Sequence, residues 1–360
     1  MTEKKTRVLV GMSGGVDSSV TAALLKVQGY EVIGMTLRLW SEEHLGMENH
    51  CCTVDALADA RHIAGRLDIP FYAVDAKEVF HDIVVSTFVE GYKEGITPNP
   101  CLVCNRRIRW GFMYRRGRAL GADYLATGHY ARLRRSDSGQ VQLLRGVDRD
   151  KDQSYVLYVL DQNLLQHTLL PLGGYTKEEV RDLAESFQLP VADRPDSQDL
   201  CFLGGDDYRD FLIRNVPEVK EPGPILNTQG QKLGDHPGLA FFTIGQRKGL
   251  GISPPSPHYV LDKDPKRNAL IVGTREELGK DTLIAGDVKW ISGSPPPAPV
   301  QAEIKIRYTA PAREGVVTPL DGRKVKVHFP EPLRDITPGQ AAVFYQDELC
   351  LGGGIIQRAV

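Results

Sequence analysis

Three cysteines are the residues of this chain best suited to chemistry: Cys101 and Cys104, spaced C-x-x-C, and Cys201 between Leu200 and Phe202. Thiols so arranged fit three chemistries. A zinc site takes four ligands, commonly from two C-x-x-C units, and with one such pair here the fourth ligand would come from Cys51, Cys52 or a histidine. A reactive thiol pair is favoured by Arg106 and Arg107, just after Cys104, because positive charge stabilises the nucleophilic thiolate. Cys101, Cys104 and Cys201 would alternatively hold an iron–sulfur cluster with one iron left open. A cysteine between leucine and phenylalanine is ordinarily an inert small hydrophobe, but the polar run from Asp196 to Asp199 sets Cys201 apart. Cys51, Cys52 and Cys350 carry no assignable role.

The second group is Gly11-Met-Ser-Gly-Gly-Val-Asp-Ser-Ser19, placed where a buried strand, Arg7 to Met12, hands over to a helix beginning near Asp17. Gly14 and Gly15 let the backbone turn tightly and approach an anion. Ser13, Ser18 and Ser19 add hydroxyl donors, and the unpaired N–H groups of a new helix add oriented positive charge. A Walker loop would end in Gly-Lys-Ser/Thr, and no lysine follows these glycines. The dinucleotide fingerprint G-x-G-x-x-G fails as well, since Gly11 is three residues from Gly14. A plain glycine turn is the remaining alternative, and the strand-turn-helix setting weighs against it.

The elements that position these groups follow from hydrophobic spacing. Val20, Leu24 and Val27 share a helical face, with Leu25 beside them and Gly29 as the stop. Glu31 to Leu39 is a second strand, Glu42 to Asn49 an acidic mobile loop, Asp55 to Leu67 a helix with Ala56, Ala60, Ile63, Ala64 and Leu67 on one face, and Ile69 to Val74 a third strand. Val79, Phe80, Ile83 and Val84 open a further helix, and Asp123 to Ala126 is a strand leading to Thr127-Gly-His-Tyr130. Alternating strands and helices predict a parallel sheet covered on both faces, with ligands outside the carboxyl ends of its strands.

Between these, Thr97-Pro-Asn-Pro100 is a stiff turn, and a helix then carries six arginines between Arg106 and Arg118, interleaved with Trp110, Phe112 and Tyr114. With no acidic residue nearby in sequence to pair them, these arginines read as a backbone-phosphate track rather than a solvated face with aromatic anchors. Leu143 to Gly146 and Ser154 to Leu160 read as strands around a polar turn, and Thr176-Lys-Glu-Glu179 is a capping box for a helix that stops before Pro190. Beyond Pro217 the chain turns to glycine, proline and short alternating strands. Ser294 to Pro299 is a stiff connector, and the alternation at 302–308 and 324–329 predicts antiparallel strands that close a small barrel.

The chain has 360 residues and a formal net charge of -2, so it divides into two or three domains and is not drawn globally to nucleic acid. No run is long enough to span a bilayer and the first strand begins almost at once, which places the protein in the cytosol. Six cysteines in that reducing compartment point to reactive or metal chemistry rather than structural disulfides.

Ser13-Gly-Gly-Val-Asp-Ser18 resembles the pyrophosphate loop of the ATP pyrophosphatase superfamily, whose members cleave ATP between the α and β phosphates and adenylate a substrate oxygen. With Asn99-Pro100-x-x-x-Cys104-Asn105, Lys151-Asp-Gln153, Ser197-Gln-Asp-Leu-Cys-Phe202 and Phe242-Thr-Ile-Gly-Gln-Arg-Lys-Gly249, the whole chain resembles the bacterial tRNA-specific 2-thiouridylases. The resemblance implies an α/β fold in which an N-terminal parallel-sheet ATP pyrophosphatase domain (1–215) precedes two small β-rich domains (216–280 and 281–360), the last a β-barrel. It implies that ATP with Mg2+ sits on Gly11, Met12, Ser13, Gly14, Gly15, Val16, Asp17 and Ser18, with Leu37 and Gly128 on the adenosine side. O2 of a wobble uridine is then adenylated. Cys201 carries sulfur as a persulfide from a donor protein, and Cys104 serves the transfer and closes a transient disulfide with it. Asn99, Pro100 and Cys101 match the target-base contact, while His129, Lys151, Asp152, Gln153, Arg307, Tyr308 and Gln340 match tRNA contacts of a protein expected to be monomeric. Many relatives carry aspartate where this chain has Cys101, which keeps the iron–sulfur alternative beside the thiol relay. Two other classes are alternatives: a different pyrophosphate-loop ligase, which would need neither the arginine track nor the cysteine pair, and a non-enzymatic RNA-binding module, against which the intact Ser13, Asp17 and Ser18 argue.

Overall fold

Val8, Leu9 and Val10 are consecutive and all buried, so the first strand has no solvent face and must lie inside a sheet covered on both sides. The computed structural model, which describes residues 5–42, 54–192, 200–252 and 256–360, places it there. β1 (Arg7–Gly11) pairs in parallel with β2 (Glu31–Arg38) on one side and β4 (Tyr124–Ala126) on the other. β3 (Phe71–Asp75) and β7 (Thr168–Leu169) complete the order β3-β2-β1-β4-β7. Chain direction across the sheet reverses between β1 and β4, and that switch point is where open parallel sheets bind ligands.

α1 (Val16–Val27) and α2 (Val54–Arg66) cover one face, with the helix Lys177–Ser186 beside α1. The expected stripe of α1 needs one correction. Val20, Leu24 and Leu25 are buried, but Val27 is 73% exposed, because the last turn runs past the sheet before Gly29 stops it at φ +89°. The other face carries two continuous helical runs, 77–93 and 100–119. Gly117 in the second run lies so close to β1 that a Cβ there would stand 2.7 Å from Leu9 Cδ2.

Three further differences from the sequence reading are physical. Ser154–Leu157 is a helical turn, not a strand: Tyr155, Val156 and Leu157 are buried together, and long-range bonds from Asn105 Nδ2 to the Val156 carbonyl and from Tyr155 Oη to the Ala341 carbonyl outweigh local β propensity. Glu42, expected in a mobile loop, is 3% exposed and accepts from Arg214 at 2.6 Å and Asn215 Nδ2 at 2.9 Å. The rest of that loop lies outside the described residues, as do Cys51, Cys52 and Asp196 to Asp199. Finally, the hairpin β5 (Ala131–Arg135) and β6 (Val141–Arg145) joins a C-terminal sheet rather than the parallel one.

Beyond the parallel sheet, β8 (Gly223–Leu226), β9 (Lys232–His236), β10 (Tyr259–Asp264) and β11 (Ala269–Gly273) form a second sheet. β12 (Lys280–Trp290), β13 (Val300–Lys305), β14 (Arg313–Leu320), β15 (Lys324–Leu333), β16 (Ala341–Gln346) and β17 (Leu349–Ala359) then close into an antiparallel barrel by the β12–β17 pairing. Val325, Val327 and Phe329 point into it at the expected period of two. β6 pairs with β17 through Leu144–Leu349 and Leu143–Cys350, bonding the barrel to the N-terminal half. Among the described residues no helix is long and apolar enough to cross a membrane.

The Glu42 tie is the contact whose removal is most readily tested. Arg214→Met leaves a carboxylate buried without its cation and is expected to lower unfolding free energy by about 3 kcal/mol in urea titrations. Glu42→Gln with Arg214→Met, which removes both charges, is expected to recover part of that loss.

Candidate active site

The turn after β1 forms from small residues with internal bonds. Gly14 takes φ +76°, where a Cβ would also collide with the Ala56 carbonyl at 2.3 Å. Ser18 Oγ donates to the Gly15 carbonyl at 3.1 Å and accepts from the Ser13 N–H at 3.2 Å, while Ser19 Oγ donates to the same carbonyl at 2.8 Å. Gly15 is the N-cap of α1 and supplies no side-chain cap to the first-turn N–H groups. Leu37 on β2 and Gly128 after β4 flank β1 at the same end. Gly128 has to be glycine, since a Cβ would lie 2.9 Å from the Asp17 carbonyl carbon and 3.1 Å from the Ser18 nitrogen.

Asp17 is the node of this end. Its Oδ1 accepts from Tyr130 Oη at 2.7 Å and from Lys177 Nζ at 2.7 Å. Tyr130 is in turn fixed by Gln153, which accepts from the Tyr130 N–H at 3.0 Å and donates its own N–H to the Tyr130 carbonyl at 2.9 Å. The sequence reading singled out neither Tyr130 nor Lys177. A lysine opening a capped helix carries no local signal of a partner 160 residues away.

The thiols lie on the other face of the sheet. Asn99 caps the helical run at 100, its Oδ1 accepting from the Cys101 N–H at 3.1 Å, with Pro100 in the first helical position. Cys101 is exposed and Cys104 half-buried one turn later. Cys201 opens a short 3-10 turn ended by Gly204 at φ 61°. Phe202 anchors that turn among Phe80, Phe88 and Phe211, at ring centroid distances of 6.1, 5.2 and 5.5 Å. Cys104 and Cys201 both pack against the main hydrophobic core, which runs from the parallel sheet into the later β-sheets. None of Cys101, Cys104, Cys201 and Cys350 is in a disulfide, so the disulfide expected from the resemblance is not formed in this structure.

Matches to family models cover nearly the whole chain. Residues 6–205 match the tRNA methyl transferase HUP domain, 209–274 the tRNA methyl transferase PRC-barrel domain and 280–356 the aminomethyltransferase beta-barrel domain. The tRNA-specific 2-thiouridylase MnmA of Moorella thermoacetica is 49% identical over 97% of this chain and 99% of that protein. The chain belongs to the MnmA family of tRNA-specific 2-thiouridylases. Its counterparts in Natranaerobius thermophilus and Carboxydothermus hydrogenoformans are 49% and 47% identical, each covering 98% of both chains. A solved 4-thiouridine synthetase–RNA complex with bound ATP overlaps at a TM-score of 0.36 and 14% identity, over 59% of this chain and 51% of that one, which is too weak to carry an argument.

In this MnmA-family chain the residues matched to RNA contacts separate into two groups. Asn99, Pro100, Cys101, Arg307, Tyr308 and Gln340 meet at the seam between the 100–119 helix and the barrel. Gln340 Nε2 donates to the Thr97 carbonyl at 2.9 Å, Thr97 N–H donates to the Pro338 carbonyl at 2.9 Å, and Tyr308, 37% exposed, stacks at an angle on Tyr155 at 6.0 Å. Burial and the nearby Asp152 and Cys101 raise the Tyr308 hydroxyl above its ordinary range. Arg307 binds the Ile244 carbonyl at 3.3 Å and Thr337 Oγ1, bracing this seam from within.

The second group is held largely by bonds inside the protein. Asp152 is 6% exposed and its carboxylate accepts from the Gly146 N–H at 2.9 Å, the Ser154 N–H at 3.1 Å and Ser154 Oγ at 2.9 Å, so it shapes the turn containing Lys151 and Gln153. His129 is 5% exposed with both ring nitrogens bonded inside the protein. Arg109 can only donate, so His129 Nε2 accepts from it at 3.0 Å and Nδ1 carries the proton toward Thr127 Oγ1 at 2.7 Å. Burial first, and the Arg109 charge second, hold the imidazole well below its ordinary range.

The arginine helix combines both readings made for it. Ile108, Trp110 and Met113 are buried, with Trp110 Nε1 donating to Thr168 Oγ1 at 2.7 Å, while Arg107, Arg115, Arg116 and Arg118 face solvent. An acidic partner does exist, brought by the fold: Asp287 pairs with Arg106 at 3.1 Å across 181 residues. The iron–sulfur alternative fits less well, because among the described residues no three His, Cys, Asp or Glu side chains are grouped to hold a metal ion. Cys350 is fully buried and its thiol is pushed far up by burial, which makes it core packing rather than a nucleophile.

The neutral His129 has a measurable consequence. The unfolded chain takes a proton near pH 6.5 that the folded chain refuses, so stability is full above that pH and falls below it, by at most about 1.4 kcal/mol per pH unit for one group. His129→Gln is expected to remove that part of the acid slope when unfolding free energy is compared between pH 5 and 7.

Proposed function

We propose that this chain is an ATP-dependent tRNA-uridine 2-sulfurtransferase that makes 2-thiouridine at the wobble position. The observation that carries the proposal is the near-half identity to 2-thiouridylases along the full length. MgATP binds as substrate on the turn from Gly11 to Ser18, at the N-terminus of α1, with Leu37 and Gly128 at its sides. Wobble uridine O2 attacks the α phosphate, the bond to the β phosphate breaks, and pyrophosphate leaves. The terminal sulfur of a Cys201 persulfide then attacks C2 and AMP departs. Cys104 thiolate attacks Cys201 Sγ, which frees 2-thiouridine and leaves a Cys104–Cys201 disulfide for a dithiol reductant to reopen. Atoms and electrons balance without a metal cluster.

The remaining assignments belong to the same reading. A persulfide-bearing protein of the cytosol loads Cys201, and the enzyme acts as a monomer built from domains 1–215, 216–280 and 281–360. The wobble base leaves its stack to reach Asn99, Pro100 and Cys101 at the helix start, near exposed Tyr308 and Lys151. The exposed arginines of the 100–119 helix follow the RNA backbone.

Two measurements test this. Cys201→Ser is expected to bind ATP normally and yield no 2-thiouridine by mass spectrometry of digested tRNA; a variant that still thiolates would remove Cys201 as sulfur carrier. Arg107→Gln is expected to weaken tRNA binding and to reduce the slope of log affinity against log salt by about 1. Arg106→Gln is expected to change it less, since Asp287 already engages that side chain. Equal affinity of Arg107→Gln and the parent at every salt concentration would make the helix a merely solvated face.

A further inference from the structure

Cys101 is exposed, whereas Cys104 and Cys201 are both half-buried against the main core, so a disulfide between those two would lie where an external dithiol has poor access. A surface contact for the target base is the plainer account of Cys101, and it leaves the geometry of the helix start unexplained. Asn99 Oδ1 accepts from the Cys101 N–H at 3.1 Å, Pro100 holds the first helical position, and the Cys104 N–H is shared between the Cys101 and Pro100 carbonyls. The bond to the carbonyl three residues back tightens this turn toward 3-10 form, in which side chains i and i+3 stand one above the other. Three residues along a helix separate Cα atoms by about 5 Å, inside the span of about 4.4–6.8 Å that a disulfide bridges. The turn therefore places an exposed thiol over a half-buried one, with its backbone fixed at both ends. Cys101 also lies close enough to Tyr308, itself 37% exposed, to act on its hydroxyl electrostatically, which sets this thiol at the seam with the barrel where solvent reaches.

We propose that Cys101 is the resolving thiol of this site, taking the disulfide off Cys104 and returning Cys201 to its reduced form. The proposal rests on the thiol-relay reading above, in which each turnover ends with a Cys104–Cys201 disulfide. Cys101 loses its proton to solvent, and its thiolate attacks Cys104 Sγ. The Cys101–Cys104 bond forms as the Cys104–Cys201 bond breaks, and the electron pair of the broken bond leaves on Cys201 Sγ, which takes up a proton. One disulfide replaces another, so no oxidant is consumed. The oxidised pair then includes the exposed thiol, where the external dithiol reduces it while Cys201 already accepts the next persulfide sulfur.

Single-turnover reactions test this. Enzyme loaded with sulfur by a small-molecule persulfide is mixed with ATP and tRNA in the absence of reductant, quenched in acid, alkylated with N-ethylmaleimide and digested for mass spectrometry. Disulfides are counted above those in the same enzyme without tRNA. The parent is expected to carry the Cys101–Cys104 disulfide, with Cys201 alkylated, in about tenfold excess over Cys104–Cys201. Cys101→Ser and Cys101→Asp are expected to reverse that ratio and leave Cys104 cross-linked to Cys201. Should either variant fail to turn over, the disulfide map of the parent decides the result. A parent recovered mainly as Cys104–Cys201, with Cys101 alkylated, would overturn the proposal and leave Cys101 a base contact. 2-Thiouridine formed with no new disulfide in parent or variants would overturn instead the thiol relay itself, and the proposal with it.

Discussion

One carboxylate organises the ligand end of the parallel sheet. Asp17 sits in the first turn of α1, and its Oδ1 draws in Tyr130 from the loop after β4 and Lys177 from a helix start on the other side of α1. Each partner brings further structure with it. Tyr130 brings the 148–153 turn through Gln153, and Lys177 is tied back to that turn through Asp148. The contact closes because Gly128 lets the β4 loop lie directly on α1. A charge shared by two well-placed donors in a half-buried site holds these loops more firmly than a solvated pair could.

The thiol side is organised by aromatic packing. Phe202 fills a cluster with Phe80, Phe88 and Phe211, and Tyr92 stacks on Tyr208 at 5.2 Å just beyond it. That cluster fixes the turn carrying Cys201 while the thiol itself stays half-buried. The pair of buried Glu42 with partly exposed Arg214 secures the same region from the direction of β2.

The barrel and the four-stranded sheet meet the first domain through polar clamps as well as through packing. Thr97 is held by Pro338 and Gln340, and the carbonyls of Phe241, Phe242 and Ile244 accept from Arg209, Lys263 and Arg307 respectively. The glycine-rich stretch 241–249 is therefore a joint between the helix bearing Arg209, the four-stranded sheet and the barrel. Burial lowers the Lys263 ammonium to about 8, the mark of a cation spent on an interior carbonyl rather than on solvent.

What the sequence determined by itself is local. Glycines and serines between an apolar strand and an amphipathic helix specify the tight turn after β1, Thr176-Lys-Glu-Glu179 specifies a capped helix start, and alternation at 324–329 specifies barrel strands, because each is a short-range preference of the backbone. Tertiary structure decided the rest. Val27 shows that a periodic face ends where its neighbour ends, and Ser154–Leu157 shows burial overriding β propensity. His129 and Asp152 are polar yet interior, since a polar residue's partner can lie anywhere in the chain. The pairings of Asp17 with Lys177, Arg106 with Asp287 and Thr97 with Gln340 span 160, 181 and 243 residues, and no periodicity or propensity encodes a contact at that range.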